Sequence, residues 1–534
     1  MAYYKNIPAS GWGLFLFQCN NHVSIRVDIL GWNDEYKNVC TPVDTAERAM
    51  TNRREFIRSS ALGGAALALG GMLPQPLIAR EGRPNVLFIA VDDLNDWTGC
   101  LGGHPGAKTP NLDRLASSGV LFTNAHCAAP LCNPSRAALM TGIRPSTSGV
   151  YANQEPFNDS PVLKDSTTIP AHFKAHGYRT LASGKIYHGA CPDPHSWDDY
   201  WPSCRQIRPE DPLPEGRPLN GIPETRHFDW GPLDVPPEKM GDSQVADRIS
   251  GHLESSHNDP FFLACGFFRP HLPWFVPGEY FDRHPLESIV LPEVRADDLE
   301  DVPDFARRMA RPGGDHARVT GYAQWREAVR GYLACISFMD DCLGRVIDTL
   351  ENSAYRDNTI VVLWADHGWH LGEKLHWRKF ALWEEATRNA LLIRAPGMKG
   401  SGNTCGAPVN LIDIYPTLNE LCGLPAVQAH EGQSLAPLLN DTDAQWERPS
   451  LTTYGRGNHS LRSNRWRYTR YHDSSEELYD HRNDPNEWTN LAGDPQYSSV
   501  KADLARWLPS SDAPAVADTI GKRSINDSVS GREP

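Results

Sequence analysis

The sequence predicts an α/β protein with a large mixed, mostly parallel sheet flanked by helices, and two pairs of patterns support this prediction. Residues 85–91 (NVLFIAV) and 359–365 (TIVVLWA) are continuous apolar runs, as in central strands that are buried on both faces. Residues 109–119 and 327–353 place apolar side chains at helical spacing. Strands that alternate with helices in this way indicate βαβ units and a mainly parallel sheet.

Further signals justify single elements in chain order. The helix of residues 109–119 begins with Thr-Pro and ends with Gly, which are start and stop signals. A short strand is predicted for residues 120–123. Residues 201–240 are dense in Pro and Gly, so we expect irregular surface loops there. The alternation over residues 461–471, which are rich in aromatics, predicts a small antiparallel sheet in a C-terminal α+β subdomain.

The chain has 534 residues, which is enough for one large domain and a smaller one. No internal repeat divides it. We expect five segments: a wrongly assigned extension (1–49), a twin-arginine signal peptide (50–79), a catalytic domain (84–437), the C-terminal subdomain (438–510) and a polar, aperiodic tail that is disordered (511–534).

The region after Met50 has the pattern of an export signal. Arg53 and Arg54 stand in a run that resembles the twin-arginine motif, and an apolar run of 12 residues follows at 61–72. That run is too short to cross a bilayer, so we expect no membrane span. The alternative is an amphipathic linker. Because export signals begin a chain, we interpret Met50 as the initiator and expect a periplasmic or secreted protein.

Charge and cysteine content bound the partners and the compartment. The formal net charge is −14 and no basic stripe is present, so nucleic acid is not expected as a partner. The chain contains 12 cysteines. In an oxidising compartment Cys191 and Cys204 are close enough for a local disulfide, although spacing alone does not fix connectivity.

Polar pairs follow both of the long apolar strands. Asp92 and Asp93 follow the first strand, and Asp366 and His367 follow the second. Ligands of parallel sheets bind beyond the carboxyl ends of the strands, so two distant segments are expected to converge. Carboxylate oxygens favour a hard cation such as Ca²⁺ or Mg²⁺. A single Asp after a strand also fits a turn, but the two pairs together predict a metal site.

The run LCNPSRAALMTGIRP at residues 131–145 is the most specific motif in the chain. By itself it also fits a buried Cys132 before a Pro-initiated helix, with Arg136 on the surface. It resembles the signature of the type I sulfatases, a family of the alkaline phosphatase superfamily. The resemblance covers about residues 84–492 and is closest to the iduronate-2-sulfatase branch in these segments: 177–188, 260–274 and 365–380.

The resemblance implies an alkaline phosphatase-like sulfatase fold and a modified nucleophile. In that family the Cys is oxidised to Cα-formylglycine by a formylglycine-generating enzyme, and here Cys132 matches that position. Arg136 matches the residue that orients it. The metal set is expected to consist of these residues: Asp92, Asp93, Cys132, Asp366 and His367.

Four more residues match sulfate-contacting or proton-transfer positions of the family. They are Lys185, His188, His271 and Lys379. The mechanism that the resemblance implies assigns His271 as the acid that protonates the leaving oxygen, with His188 as the other candidate. The sequence departs from the family at His367, where Asn is usual, and at Arg269, where Lys is usual, which puts substrate preference there in doubt.

The resulting prediction is an exported Ca²⁺-dependent sulfatase that removes sulfate from a sulfated uronic acid or another sulfated polysaccharide unit. One alternative is a phosphonate or phosphate ester hydrolase of the same superfamily. Another is a non-catalytic carbohydrate-binding relative in which the Cys stays unmodified. Sugar contacts are expected from these residues: Trp274, His376, Trp377, Arg456 and His459.

Overall fold

The computed structural model describes residues 13–19, 22–28, 82–225, 227–519 and 524–530. Residues 1–76 and residues 77–534 form two separate units. In the first unit the strands Gly13–Cys19 and His22–Asp28 pair in an antiparallel hairpin. The predicted signal peptide at 50–79 and the remainder of the predicted extension lie outside the described residues.

An eight-stranded mixed sheet forms the centre of the second unit, as predicted. One strand, Leu391–Arg394, is antiparallel to both of its neighbours, and the other neighbouring pairs are parallel. Across the sheet the order is Thr404–Cys405, Val120–Phe122, Leu391–Arg394, Thr359–Ala365, Asn85–Val91, Phe261–Phe267, Arg179–Gly184 and Asp199–Trp201.

The strand register brings the predicted site to one edge of this sheet. Val91 pairs with Ala365 on one side and with Phe267 on the other, so the residues that follow all three strands leave the sheet together. Gly184 ends the next strand, with a φ of 82°. A Cβ there would lie 2.1 Å from the carbonyl oxygen of Gly266, so this close approach requires glycine.

Helices cover both faces of the sheet, because the central strands are apolar on both sides. Leu87 and Ile89 pack in one core cluster, and Val86 and Phe88 pack in the other. The helices are Pro110–Ala116, Cys132–Thr141, Pro145–Ser148, Ile169–Ala175, Gly241–Glu254, Gly278–Asp282, Asp304–Ala310, Asp315–Gly321, Trp325–Asn352, Glu384–Thr387, Ile414–Leu421, Ala436–Asn440, Ser498–Ala505, Val516–Thr519 and Ile525–Ser530. In the described part of the chain, none of them is long and apolar enough to span a bilayer.

The C-terminal subdomain contains the predicted small antiparallel sheet. Its four strands follow one another in chain order as Ser450–Thr453, His459–Arg462, Trp466–Arg470 and Glu476–Asp480. The structure also contains the Cys191–Cys204 disulfide that the spacing allowed.

The tail is ordered where the structure describes it, in contrast to the expectation for residues 511–534. Val516–Thr519 and Ile525–Ser530 are short helices. The backbone N–H of Val516 donates to the carbonyl of Gly149, at 2.9 Å, and residues 515–517 are buried. Contacts with distant residues order this segment, which is too short to show a periodic pattern of its own.

Candidate active site

Cys132 is the first residue of the helix Cys132–Thr141 and is completely buried. Its Sγ lies 2.9 Å from Nζ of Lys379, 3.4 Å from Nε2 of His367 and 3.9 Å from Oδ1 of Asp93. Burial raises the pKa of the Cys132 thiol, but the ammonium groups of Lys185 and Lys379 hold the pKa below its ordinary value. The position therefore favours an anionic group on residue 132.

Three carboxylates converge beside Cys132 from the two predicted strand ends. The backbone N–H of Asp93 donates to Oδ1 of Asp366 at 3.1 Å. Asp93 has a φ of 60°, an uncommon conformation for an Asp. The hydroxyl of Tyr332 donates to the Asp93 carbonyl at 2.7 Å and fixes this turn. No local pattern in the sequence indicated this role of Tyr332, because it lies on a helix 239 residues further along the chain than Asp93.

Arg136 is 1% exposed, so the alternative of a surface arginine is wrong. Its Nε donates to Oδ2 of Asp366 at 2.9 Å, and its Nη2 donates to Oδ1 of Asp92 at 3.2 Å. Its Nη1 donates to the carbonyls of Lys185 and Ile186, at 2.6 and 3.1 Å. The guanidinium thus ties the nucleophile helix to both strand ends.

Lys185 and Lys379 are also buried, rather than solvated surface charges. Lys379 Nζ lies 2.6 Å from Oδ1 of Asp93, and Lys185 forms an ion pair with Asp92. Although burial opposes it, the carboxylate of Asp93 holds the pKa of Lys379 well above its usual range. Two ammonium groups therefore stand beside residue 132, as the binding of a sulfate group requires.

The two ring nitrogens of His271 have different surroundings. Nδ1 lies 2.6 Å from the carbonyl oxygen of Leu272 and must donate to it. Nε2 faces the carboxylates, 3.7 Å from Oδ2 of Asp93 and 4.0 Å from Oδ2 of Asp92. Burial holds the pKa of His271 well below its usual range. Nε2 is therefore the atom that can exchange a proton within the site.

Arg269, the second departure from the family, is bonded within its own loop and to Asp211. Its Nη1 donates to the carbonyls of His271 and Pro273, at 2.9 and 2.8 Å, and its Nη2 pairs with Asp211 at 2.7 Å. Arg269 therefore holds the loop that carries His271.

His367 belongs to the cluster. Its Nε2 lies 3.3 Å from Oδ1 of Asp93 and 3.5 Å from Oδ1 of Asp366, and its Nδ1 lies 3.0 Å from the carbonyl of Gly368. Burial opposes protonation, but Asp366 raises the pKa of His367 to about 9. A cation bound among these carboxylates would take the place of that proton and leave Nε2 free to coordinate.

His188 lies within electrostatic reach of this cluster. It lines a side cavity of about 380 Å³ together with Asn133 and Arg136. Its Nδ1 is buried and has no hydrogen-bond partner among the described residues. Burial and the nearby ammonium of Lys185 lower the pKa of His188 to about 4. The charged groups of the cluster thus act on both histidines that the sequence proposed for proton transfer.

The donor set fits a divalent cation. Ligand atoms of Asp92, Cys132, Asp366 and His367 all lie within 4.8 Å of one another. Oδ2 of Asp93 is buried without a hydrogen-bond partner among the described residues. A buried carboxylate oxygen without a partner is costly unless a cation satisfies it. These carboxylates, His367 and residue 132 could together hold the ion.

Only some of the residues that were expected to contact the sugar lie beside the site. His376 and Trp377 line a cavity of about 430 Å³ that begins at Leu131, next to the nucleophile. Trp274 is completely buried, and its Nε1 donates to the Pro270 carbonyl at 2.7 Å. The remaining two, His459 and Arg456, are bonded to Asp512.

Comparisons with known proteins place the chain in a family. The sulfatase family model matches residues 84–424, and the model of the C-terminal region of N-sulphoglucosamine sulphohydrolase matches residues 372–513. A sulfatase of Formosa agariphila is 40% identical, over 81% of this chain and 87% of that protein. The mouse iduronate 2-sulfatase is 31% identical, over 69% of this chain and 75% of its own length.

A solved structure has the same fold. It is a protein in complex with its substrate D-glucosamine-2-N,6-O-disulfate, with a TM-score of 0.64 and 22% identity, covering 79% of this chain and 96% of that one. The family model and the relatives together show the assignment, and the convergent carboxylates, cations and Cys132 agree with it. The chain belongs to the sulfatase family, the hydrolases of sulfuric esters.

Proposed function

We propose that this sulfatase is exported, binds Ca²⁺, carries formylglycine at position 132 and removes sulfate from a sulfated uronic acid or a related polysaccharide unit. One observation carries the proposal. The side chain of Cys132 is buried at a helix N-terminus, with Lys379 at 2.9 Å and three carboxylates around it. This surrounding suits an anionic nucleophile that attacks an anionic ester in the presence of a cation.

Two components that the unmodified side chains do not provide would supply the nucleophile and the positive charge at the sulfate. The hydrate of formylglycine, made from Cys132 by a formylglycine-generating enzyme, supplies the nucleophile, and a divalent cation supplies charge neutralisation at a sulfate oxygen. Asp92, Asp93, Asp366 and His367 would hold that cation.

Side chains of the site itself would bind the sulfate, position the nucleophile and transfer the proton. The ammonium groups of Lys185 and Lys379 hold sulfate oxygens and the charge that develops on them in the transition state. Arg136 keeps the nucleophile helix in register with Asp92 and Asp366. The negative charge of a bound sulfate ester raises the pKa of His271 and favours a proton on Nε2, which His271 then gives to the departing sugar oxygen, while the Nδ1 hydrogen bond to Leu272 keeps Nε2 directed at the site.

Relatives and cavity chemistry support an anionic sugar as the substrate. The matched relatives include iduronate 2-sulfatases and a Δ4,5-hexuronate-2-O-sulfatase. The cavity next to Leu131 contains His376, Arg378 and Trp377. Arg378 lies 2.6 Å from Asp315 and stacks over Phe228, with the guanidinium carbon 4.5 Å from the ring centroid. A uronate carboxylate could compete for this guanidinium.

Three measurements test the substrate and the nucleophile. The expected results are faster hydrolysis of a nitrophenyl sulfate than of the corresponding phosphate or phosphonate ester, and release of sulfate from 2-O-sulfated uronate oligosaccharides. Mass spectrometry of the peptide that spans residue 132 should show the aldehyde. A preference for phosphate or phosphonate contradicts the reaction. An unmodified thiol in protein from a host with the maturation enzyme supports the non-catalytic alternative.

The identity of the metal has its own test. Protein treated with a chelator and dialysed should lose activity, and its melting temperature should fall. Ca²⁺ should restore the melting temperature at lower concentration than Mg²⁺, because the site offers carboxylates and an imidazole rather than the water-rich octahedral shell that Mg²⁺ prefers. Equal recovery with both ions contradicts a calcium site.

Export has a separate test, because the signal segment lies outside the described residues. The proposal is supported by Arg53 and Arg54 in a twin-arginine pattern and by the apolar run at 61–72. Replacing both arginines with lysine should retain the protein in the cytoplasm of a bacterial host. N-terminal sequencing of the precursor should begin at Met50, and a native peptide from residues 1–49 would contradict that start.

A further inference from the structure

A second cavity, of about 600 Å³, lies away from the nucleophile. We call it the Trp446–Trp507 cavity, and the polar and aromatic residues of its lining are Arg144, Gln433, Gln445, Trp446, Glu447, Arg448 and Trp507. Cys132 begins a helix of 10 residues and Arg144 follows its end, so about 15 Å of helix separates the two positions. The catalytic mechanism uses none of the residues that line this cavity.

Arg144 is 7% exposed, yet it lacks a carboxylate partner. Its Nη1 donates to the carbonyl of Leu451 at 3.3 Å, and the second guanidinium, of Arg448, donates to the carbonyl of Glu431 at 2.6 Å. Within the described part of the chain, neither guanidinium forms an ion pair. Buried arginines are ordinarily paired, because an uncompensated charge in the interior is costly.

The nearby carboxylates are occupied by other donors. Oε2 of Glu431 accepts the backbone N–H of Arg144 at 2.5 Å, and its Oε1 accepts the hydroxyl of Thr147 at 2.9 Å. Asp413 accepts two backbone N–H groups, from Asn410 and Gln433, each at 2.8 Å. Burial and the adjacent Arg448 lower the pKa of Arg144 to about 10, against the opposing effect of Asp413 and Glu431. The guanidinium stays charged at neutral pH, and Asp413 and Glu431 offset its charge without forming a direct ion pair with it.

Aromatic and amide groups complete the cavity. Trp507 is 45% exposed, which is unusual for so large an apolar side chain. Trp446 is half-buried, and its Nε1 donates to the carbonyl of Pro408 at 3.2 Å, which fixes the indole. Indole rings pack against the C–H faces of pyranose rings, whereas Gln433 and Gln445 offer amides for hydroxyl groups. The one carboxylate in the lining, Glu447, accepts a hydrogen bond from the amide of Gln445. Two cations against this single carboxylate, together with the two indoles, match an anionic sugar better than a small inorganic ion.

We propose that the Trp446–Trp507 cavity is a second, non-catalytic site that binds the sulfate group of a sulfated saccharide, with Arg144 and Arg448 on the sulfate and Trp446 and Trp507 against the sugar. Such a site holds a polymeric substrate on the enzyme while the catalytic site, at the other end of the same helix, acts on another unit. Two linked sites raise the effective concentration of the polymer without a new catalytic contact.

Affinity electrophoresis in gels that contain heparin tests the proposal. Arg448→Ala and Trp507→Ala should each weaken retention about fivefold or more, as expected for an anchor residue at a binding site. Neither variant should change kcat/KM on a nitrophenyl sulfate. The matched control is Arg506→Ala, because Arg506 is exposed, pairs with Asp503 at 3.0 Å and does not line the cavity. Unchanged melting temperatures show that the variants are folded.

Two further arms identify the ligand. Desulfated heparin should be bound several-fold more weakly than heparin, and sodium sulfate should compete no better than sodium chloride at equal ionic strength. The proposal is overturned if both variants keep full retention, if Arg506→Ala weakens retention equally, or if sodium sulfate alone displaces heparin at millimolar concentration. Because retention requires no turnover, this test is independent of the outcome of the sulfatase assays.

Discussion

Two buried clusters of charged side chains in this protein look alike in composition but differ in what they leave unsatisfied. The catalytic cluster contains Asp92, Asp93, Asp366, Lys379 and His367. The second, which we call the C-terminal charge cluster, joins the helix Glu384–Thr387 to the C-terminal sheet through Glu384, Arg462, Arg467, His481 and Glu487. In both, carboxylate and imidazole ligand atoms lie within 4.8 Å of one another.

The two clusters differ in whether their carboxylate oxygens have hydrogen-bond partners. Oε1 of Glu487 meets Nε of Arg467 at 2.5 Å and Nε2 of His481 at 2.8 Å, and its Oε2 accepts the backbone N–H of Glu384 at 3.0 Å. In the catalytic cluster, by contrast, Oδ2 of Asp93 has no hydrogen-bond partner among the described residues. Guanidinium groups fill the C-terminal charge cluster, whereas the catalytic cluster has room for a ligand. Between these two clusters, the unsatisfied carboxylate oxygen of Asp93, rather than the number of charges, is what differs.

The largest expected effect is on the nucleophile. Cys132→Ala should lower kcat by about 10⁴-fold or more, since the reacting group itself is removed. The fold should persist, because the side chain lies at strand ends beside polar groups and not in the apolar core. Steady-state kinetics and a thermal melt measure the two effects. Retained activity would refute the assignment of residue 132.

The catalytic cluster is expected to bind a metal ion and the C-terminal charge cluster is not, so metal content is a direct test of the comparison. Elemental analysis of the purified protein should find one divalent ion per chain. Asp93→Asn should remove most of it, because a neutral amide leaves Lys379 uncompensated and binds a cation weakly. Glu487→Gln is the matched control and should leave the metal content unchanged. A loss of metal in the control and not in Asp93→Asn would reverse the comparison.

The role of His271 predicts an effect that depends on the leaving group. His271→Gln should slow sulfate release from a sugar by about 10²- to 10³-fold, the range of general acid catalysis. It should slow hydrolysis of nitrophenyl sulfate much less, because nitrophenolate leaves without a proton. His188→Gln provides the comparison, since His188 is the other histidine proposed for this proton transfer. Equal losses on both substrates with His271→Gln would rule out the acid role.

The C-terminal charge cluster should matter for stability and not for chemistry. Arg467→Ala removes the buried guanidinium that pairs with both Glu384 and Glu487, and the free energy of unfolding should fall by about 3–5 kcal/mol, measured with urea. The double variant Arg467→Met with Glu487→Gln should recover much of this loss. The folded Arg467→Ala variant should keep the kcat of the unaltered protein. A loss below about 1 kcal/mol would show that the pair is not structural.

The smallest effect concerns Glu373, which lines a cavity beside Glu384 and has no cation of its own among the described residues. Burial raises the pKa of Glu373 to about 7, from an ordinary value of 4.5. The folded state therefore binds this proton more tightly than the unfolded state, so stability falls as the pH rises from 4.5 through 7. Glu373→Gln should raise the melting temperature at pH 8 and leave it unchanged at pH 4. The opposite pattern would contradict the raised pKa.

Much of the fold was predictable from local patterns. The two central strands match their predicted bounds, Asn85–Val91 and Thr359–Ala365, because continuous apolar runs there end at charged residues. The long helix, predicted for 327–353, spans Trp325–Asn352. The helix predicted for 109–119 is shorter, at Pro110–Ala116. Boundaries shift because the last turns depend on neighbours that a local pattern does not include.

The failures have a common physical cause. Trp274 was expected at the sugar, but its indole is completely buried and bonded to the carbonyl of Pro270. The described parts of residues 511–534 were expected to be disordered, but distant backbone groups hold them. In each case the outcome depends on where a side chain or a backbone group meets residues far along the chain.

The sequence by itself determined the reaction class, the central strands and the identity of most residues in the cluster. Their types follow from chemistry, because a nucleophile, its cations and hard metal ligands can be recognised as residue types at fixed spacing. Only the tertiary structure decided that Asp93 keeps an unsatisfied oxygen, that Arg269 supports a loop and that Arg144 lies buried without a carboxylate partner. Whether a polar atom has a hydrogen-bond partner and whether a side chain is buried depend on packing in three dimensions. The order of residues alone does not encode these properties locally.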